Sequence, residues 1–319
     1  MSCELIMTVE EMQDRKAWLE MRKTGIGGSD CAVVLGISKW KSQWELWLEK
    51  TGQVEIEDNS DNEYIEAGNR LENTIAEWFC DKTGKKVRRC GMLRSKEHPW
   101  MLADVDRLIV GENAILECKT AAHWKLEEWN EDNIPDAYYL QVQHYLAVGG
   151  YDKAYIAVLV GGHKFIWKEI PRNDDDIAVI IEAEERFWQK NVIEKALPEA
   201  DGSDGCTKAI SLHFEGGETE AEELEGDYDL MLRDLEALKE DRKKLDLAIA
   251  TCENKLKVRM GNAEFGRSAK YNVYFKTTNR NAFNSKQFEK DYPELYSKYL
   301  KTTSYRSLRV LVSKARMSD

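Results

Sequence analysis

Two short apolar runs joined by a three-residue turn constrain this chain more than any other feature. Met101 to Val110 carries Leu102, Val105, Leu108, Ile109 and Val110, and Ala114 to Cys118 carries Ile115 and Leu116. Gly111, Glu112 and Asn113 between them are turn formers, so the pair predicts a β-hairpin. Charges stand where a buried sheet should not have them: Asp104, Asp106, Glu117 and Lys119. Side chains alternate faces along a strand, so Glu117 and Lys119 share one face, and Asp106 on the first strand can look toward them. Two carboxylates and a lysine on an apolar hairpin are costly unless a cation or a substrate uses them.

The hairpin sits inside a mixed pattern. Residues 8–23 predict a helix, with Thr8 and Glu11 as a capping box. Arg22 and Lys23 then lead into Gly25, Gly27, Gly28, Ser29 and Asp30, a glycine-rich turn feeding a helix over 31–35. Such a turn offers unpaired N–H groups to an anion. A short helix over 42–51 and an acidic loop over 55–63 follow. Residues 64–82 predict an amphipathic helix, with Ile65, Leu71, Ile75, Trp78 and Phe79 at spacings of three and four. Glu72 lies at its margin. A strand over 86–93 precedes the hairpin. Beyond it come a helical piece at 124–129, a helix over 136–148 bearing Gln141 and Gln143, strands over 153–160 and 163–170, and a helix over 174–196. The order α, β, β, β, α, β, β, α predicts an α/β domain with a mixed sheet.

The C-terminal part differs. Residues 198–226 are rich in Gly, Glu and Asp and predict a linker. From Asp227 to Met260, Tyr228, Met231, Leu235, Leu238, Leu245, Ile249, Cys252 and Leu256 keep alternating spacings of three and four, interrupted by Arg242. This predicts a coiled-coil-type helix of about 45 Å, or two helices in a hairpin, although no Gly or Pro marks a break. Strands over 270–276 and 305–312 and a helix over 288–299 follow. Net charge is −12, but from Lys255 onward fifteen Lys and Arg face five Asp and Glu, a net of +10 against −22 for the rest. With Lys270, Tyr271, Tyr274, Lys276, Arg280, Arg306 and Arg309, this end suits phosphate contact and base stacking, or equally packing on the acidic part.

Several classes are excluded. No apolar run approaches the ~20 residues that span a bilayer. The acidic N-terminus has no basic and apolar signal pattern. Seven scattered cysteines without CxxC predict reduced thiols in a cytosolic protein and no zinc or iron–sulfur site. A hydrophobic fraction of 42% supports a real core.

Asp106 and Glu117 are hard oxygen ligands suited to Mg²⁺ or Mn²⁺, with Glu72 and the Cys118 carbonyl as further donors. A lysine beside such a metal, Lys119, can stabilise charge on a phosphoryl group or position a water.

Glu117-Cys118-Lys119 after a hairpin Asp has the pattern of PD-(D/E)xK nucleases. The segments Arg22–Asp30, Glu66–Glu72, Asp106–Leu108, Glu117–Thr120 and Gln141–Tyr145, in that order, resemble the YqaJ-type viral recombinases related to phage lambda exonuclease, over about residues 10–195. The resemblance implies a PD-(D/E)xK core with a mixed sheet flanked by helices, here followed by a long-helix α+β module. It implies a Mg²⁺-dependent 5′→3′ double-strand DNA exonuclease that leaves 3′ overhangs for phage-type recombination. Other nucleases of the same fold, or a non-catalytic DNA-end-binding scaffold, are the alternatives.

By the motifs, Asp106, Glu117, Cys118 and Glu72 take the metal positions, Lys119 is the catalytic lysine, and Gln141 supports the site. Arg22 and Ser29 fall where the family holds the terminal 5′ phosphate. Asp104 and Gln143 are accessory candidates. One departure is Asp106-Arg107, where the family usually has Asp-Gly. Implied partners are duplex DNA ends, a single-strand annealing protein and further copies of the chain, a trimeric ring among the options, in a bacterial host cytoplasm. The expected domains are 1–197, a linker over 198–226, and 227–319.

Overall fold

The structure is a computed structural model that describes residues 2–56, 62–130, 133–214, 216, 220, 222, 224, 226–301 and 306–311. It divides into two compact units, 1–215 and 216–319. Among the described residues no helix is long and apolar enough to cross a membrane. All seven cysteines are unpaired.

The first unit runs β1 (Cys3–Met7), α1 (Arg15–Lys23), β2 (Ile26–Gly27), α2 (Gly28–Val34), α3 (Gln43–Lys50) and α4 (Glu63–Thr83). It continues with β3 (Val87–Arg88), β4 (Met92–Ser95), β5 (Met101–Ala103), β6 (Arg107–Ile109), β7 (Ala114–Ala121) and α5 (Asp136–Gly149). The remainder is β8 (Lys153–Val160), β9 (Lys164–Pro171), α6 (Asp174–Arg186) and α7 (Asp204–His213). The fold is mixed α/β, with a four-stranded sheet ordered β1-β4-β5-β2 and a five-stranded sheet ordered β3-β6-β7-β8-β9. β7 and β8 are parallel, and the other pairs of the larger sheet are antiparallel.

The larger sheet is covered on both faces, which explains the nearly all-apolar sequence of β8. Ile115, Ile156 and Val158 pack with Val142, Tyr145 and Leu146 of α5. On the other face Leu116, Tyr155, Ala157 and Leu159 pack with Ile75, Ala76 and Phe79 of α4. Gly84 and Gly150, at φ 71° and 65°, end α4 and α5 in the left-handed conformation that glycine adopts without strain.

Several elements differ from the sequence reading. The strand expected over 101–110 is two strands in two sheets: β5 pairs with β4 and β2, and β6 pairs with β7 in the expected hairpin. The chain changes sheets at Asp104-Val105-Asp106, where both carboxylates accept hydrogen bonds outside any ladder. The strand over 86–93 likewise divides into β3 and β4. The helix over 8–23 starts anew at Asp14, whose carboxylate caps α1 by accepting from the Ala17 amide. Thr8 and Glu11 do form the reciprocal capping bonds, at 2.8 and 3.2 Å.

The linker expected over 198–226 carries α7, with Cys206 and Ala209 buried against Trp44, Trp47 and Phe187. Apolar burial therefore draws this stretch into the first unit, which extends to residue 215 rather than 197. Residues 57–61 of the acidic loop lie outside the described residues.

In the second unit, α8 (Tyr228–Met260) is one unbroken helix rather than a hairpin of two. A short hairpin of β10 (Phe265–Arg267) and β11 (Asn272–Tyr274) follows, then α9 (Ser285–Asp291) and α10 (Pro293–Tyr299). The helix expected over 288–299 is divided because Pro293 cannot donate and biases Tyr292 away from helical geometry, to φ −138° and ψ 62°. The strand expected over 305–312 is irregular over its described residues, 306–311.

Candidate active site

The site grows out of β7. In its parallel register with β8, Glu117 lies opposite Ile156 and Lys119 opposite Val158, on the face that α5 covers. One turn of α5 presents Gln141 to both. Its Nε2 donates to Glu117 Oε1 at 2.8 Å, and its Oε1 accepts from Lys119 Nζ at 3.0 Å. Lys119 Nζ also donates to Glu117 Oε1 at 2.6 Å and lies 4.9 Å from the centre of the Tyr138 ring. The amide has one acceptor and one donor end, so a carboxylate and an ammonium on either side set its orientation. Tyr145 sits one turn on, its hydroxyl 3.1 Å from Gln141 Nε2.

Asp106 enters from the bend before β6. Its Oδ2 accepts from the Cys118 amide at 2.6 Å, which ties the carboxylate to β7 between Glu117 and Lys119. Cys118 itself points to the α4 face, and what it offers this side is backbone. Asp104 is held apart, accepting from Trp18 Nε1 at 2.8 Å. Asp104, Asp106, Glu72, Trp18 and Arg107 line a cleft of about 450 Å³.

The electrostatics are those of a site with surplus negative charge. Burial pushes Asp106 well above the usual carboxylate range, and Glu117 beside it pushes further against Lys119. Burial also raises Glu117, against the pull of Lys119. For Lys119, burial works against the charge, yet Glu117 and Asp106 outweigh it and hold the ammonium above its ordinary range. Glu117 Oε2 is buried without a hydrogen-bond partner. An orphaned carboxylate oxygen beside a second, half-buried carboxylate, with one lysine between them, fits a divalent cation held by hard oxygen donors.

Glu72 does not join this pair. It arrives on α4, from the opposite face of the sheet, and is ion-paired with Arg107, whose guanidinium also donates to the Asp106 carbonyl. Arg107 is buried, its side chain 4% exposed. It stands where the resemblance leads one to expect glycine, and that departure was the signal for its role. The carboxylate oxygens of Glu72, Asp106 and Glu117 do not all come within 4.8 Å of one another, whereas ligand-type atoms of Cys31, His144 and Glu184 do. That second group contains none of the expected ligands. It is a packing junction, with His144 Nδ1 2.8 Å from Glu184 and Nε2 2.9 Å from the Leu102 carbonyl.

Gln143 is also elsewhere. Its Nε2 donates to the Pro171 carbonyl at 2.8 Å and its Oε1 accepts from the Asn173 amide at 3.0 Å. It is wholly buried and fastens α5 to the start of α6. Two residues from Gln141 on a helix is about 200° around the axis, so the two glutamines face opposite ways.

Arg22 and Ser29 come together as the glycine-rich turn suggests. Arg22 donates to Ser29 Oγ at 2.9 Å and to Asp30 Oδ1 at 3.0 Å. Asp30 in turn pairs with the buried Lys50 at 2.9 Å and accepts from the Gly27 amide. Sequence alone gives no sign of this pairing, because Asp30 reads as one more residue of the glycine-rich turn and Lys50 as the end of a helix twenty residues on. Gly28 lets this turn press against α5. A Cβ there would lie 2.5 Å from Tyr145 and 3.0 Å from Gln141. Gly28→Ala should therefore lower stability by about 1–3 kcal/mol and push Gln141 off its partners. Thermal melts and any activity of the variant would check this, and a variant as stable as the parent would contradict it.

Comparison with known proteins gives the chain's relatives. A family model described as the YqaJ-like viral recombinase domain matches residues 17–152. The YqaJ protein of Bacillus subtilis (strain 168) is 40% identical over 307 residues, covering 95% of this chain and 96% of that protein. Among solved structures, the alkaline exonuclease LHK-Exo of Laribacter hongkongensis matches with a TM-score of 0.44 and 18% identity, over 57% of this chain and 100% of its own. A phage-related exonuclease from Haemophilus somnus 129PT matches with a TM-score of 0.42 and 14% identity, over 54% of this chain and 96% of its own.

Proposed function

Since the chain belongs to the YqaJ-like viral recombinase family, we propose that it is a metal-dependent deoxyribonuclease that digests the 5′-ended strand of duplex DNA inward from an end. The product is a 3′ single-stranded overhang, the substrate for strand annealing in phage-type recombination. The observation that carries the reading is the constellation of Asp106, Glu117, Lys119 and Gln141, with its orphaned buried carboxylate oxygen.

Asp106 and Glu117 are the residues that would hold Mg²⁺ or Mn²⁺, with the Cys118 carbonyl as a further donor. The bound cation would polarise a phosphoryl oxygen and lower the pKa of a coordinated water. Lys119 keeps its proton and offers a positive charge to the oxygens of the scissile phosphate. Gln141 holds Lys119 and Glu117 at fixed separation, so neither must reorganise as charge develops. Arg107 pairs with Glu72 at the rim of the cleft, where the carboxylate can act through water. The natural partner is a single-strand annealing protein that coats the exposed strand, in the cytoplasm of a bacterial host.

Arg22 and Ser29 are assigned to the terminal 5′ phosphate. Purified protein with Mg²⁺ should degrade 5′-phosphorylated linear duplex faster than 5′-hydroxyl duplex and leave closed circles intact. Arg22→Ala should remove about 10- to 100-fold of that end preference, the equivalent of ~1.5–3 kcal/mol for one charge-assisted hydrogen bond. Cleavage of closed circular DNA would instead point to an endonuclease. Binding of ends without metal-dependent cleavage would point to a scaffold.

A further inference from the structure

The second unit holds a long helix that no described residue buries, with only Leu232, Leu235 and Met260 half-covered. No residue of α8 is buried. Tyr228, Met231, Leu238, Leu245, Ile249 and Leu256 are between 47% and 67% exposed, and Cys252 is exposed as well. With Leu235, Arg242 and Arg259 these residues follow one another at three and four without a slip from 228 to 259. That is the 3.5-residue period of a two-stranded seam, which a helix packing on a globular surface does not keep over so many turns. Leu230, Leu247 and Val258, also exposed, fall off the seam.

We propose that α8 pairs with α8 of a second copy of this chain as an antiparallel two-stranded coiled coil. The register sets Arg242 opposite the partner's Leu245, Leu238 opposite the partner's Ile249, Leu235 opposite the partner's Cys252, and Met231 opposite the partner's Leu256. Every seam position then has a seam position across from it, including Tyr228 against the partner's Arg259.

Charge decides the direction. In the antiparallel register Asp234 flanks the partner's Lys255, and Lys239 flanks the partner's Asp246. Two-fold symmetry repeats both attractive pairs. A parallel pair would keep one attractive flanking pair, Asp234 with the partner's Lys239, but would set Asp241 against the partner's Asp246 at the flank and stack Arg242 on the partner's Arg242 inside the seam. In the antiparallel arrangement the two arginines fall in different layers. Each already reaches Asp246 of its own helix, at 3.7 Å, at the margin of the seam.

Disulfide trapping in the full-length protein tests both partner and direction, and it does not depend on nuclease activity. L235C, oxidised and run on a non-reducing gel, should give a covalent dimer. Its linking peptide, read by mass spectrometry, should join position 235 of one chain to Cys252 of the other. Adding C252S or I249E should remove the dimer. Within one helix the two positions are about 25 Å apart at ~1.5 Å per residue, so no intrachain bond can mimic it. The parent protein should form no Cys252–Cys252 bond. A Cys252–Cys252 dimer in the parent would overturn the antiparallel register. Absence of the dimer from well-folded L235C would overturn the pairing itself, as for a helix that docks on its own chain or on another protein. The double variant M231C/L256C reads the same register and decides the matter should L235C fold poorly.

Discussion

Lys119→Ala should lower metal-dependent hydrolysis of linear duplex DNA by about 10²–10³-fold or more, the range for losing one group that stabilises transition-state charge. Lys119 Nζ touches both Glu117 and Gln141, so its removal also leaves the buried Glu117 and the half-buried Asp106 with no cation between them. Such a site should take up divalent metal no less readily than the parent, because the opposing positive charge is gone. The variant should therefore bind Mn²⁺ while failing to cleave. That combination separates a chemical role from collapse of the site. Glu117→Gln should lose both cleavage and metal uptake, since it neutralises the carboxylate whose second oxygen lacks a partner. Cleavage by Lys119→Ala at the parental rate would sink the assignment. A melt of each variant is the necessary companion, because the cluster is buried.

The largest effect on stability should come from Asp30→Asn. Asp30 is 5% exposed and lies between Lys50 at 2.9 Å and Arg22 at 3.0 Å, with the Lys50 side chain only 2% exposed. Removing the one anion leaves two cations facing each other in the interior, and breaking a buried pair in this way costs about 3–5 kcal/mol. Against a total of about 5–15 kcal/mol for a natural domain, that is a large fraction. The pH dependence follows from the same groups. Burial works against the Asp30 charge, but Lys50 and Arg22 outweigh it and hold its carboxyl far below the usual range. A carboxyl depressed in the folded state contributes stability that is fully present above its unfolded pKa of about 3.9 and drains as pH falls below it. The gap between parent and Asp30→Asn in urea melts should be full at pH 7 and narrow below about pH 4. A gap that stays constant down to pH 3 would contradict this. Because Asp30 also positions Arg22, the variant should lose part of its preference for 5′-phosphate ends.

How much was legible in the sequence follows from what each pattern encodes. Alternation along β7 fixes the side to which a residue points, so Glu117 and Lys119 could be placed on one face without coordinates. The three-and-four spacings of α4, α5 and α8 identify helices for the same reason. These are local periodicities, and they survive whatever the rest of the chain does. Gln143 was misjudged because a motif lists residues in order, while a helix turns about 100° per residue, so neighbours in a motif need not be neighbours in space. The motifs place Glu72 with the metal ligands, because a motif gives order along the chain and not the ion pairs that form in space. Its partner is set instead by Arg107, a substitution whose meaning depends on which face α4 covers.

By itself, then, the sequence determined the mixed α/β class, the hairpin turn, the shared face of Glu117 and Lys119, the three-and-four spacing of α8 and the family resemblance. Each follows from residue type and spacing along the chain. Only the tertiary structure decided that the 101–110 run divides between two sheets and that α7 folds back onto α3. It also decided that Asp106, rather than Asp104, reaches β7, and that Asp30 and Lys50 underlie Arg22. Those outcomes depend on distances between segments far apart in sequence. Such distances come from competing apolar burial and from the need of every buried charge to find a partner, and neither leaves a period in the chain.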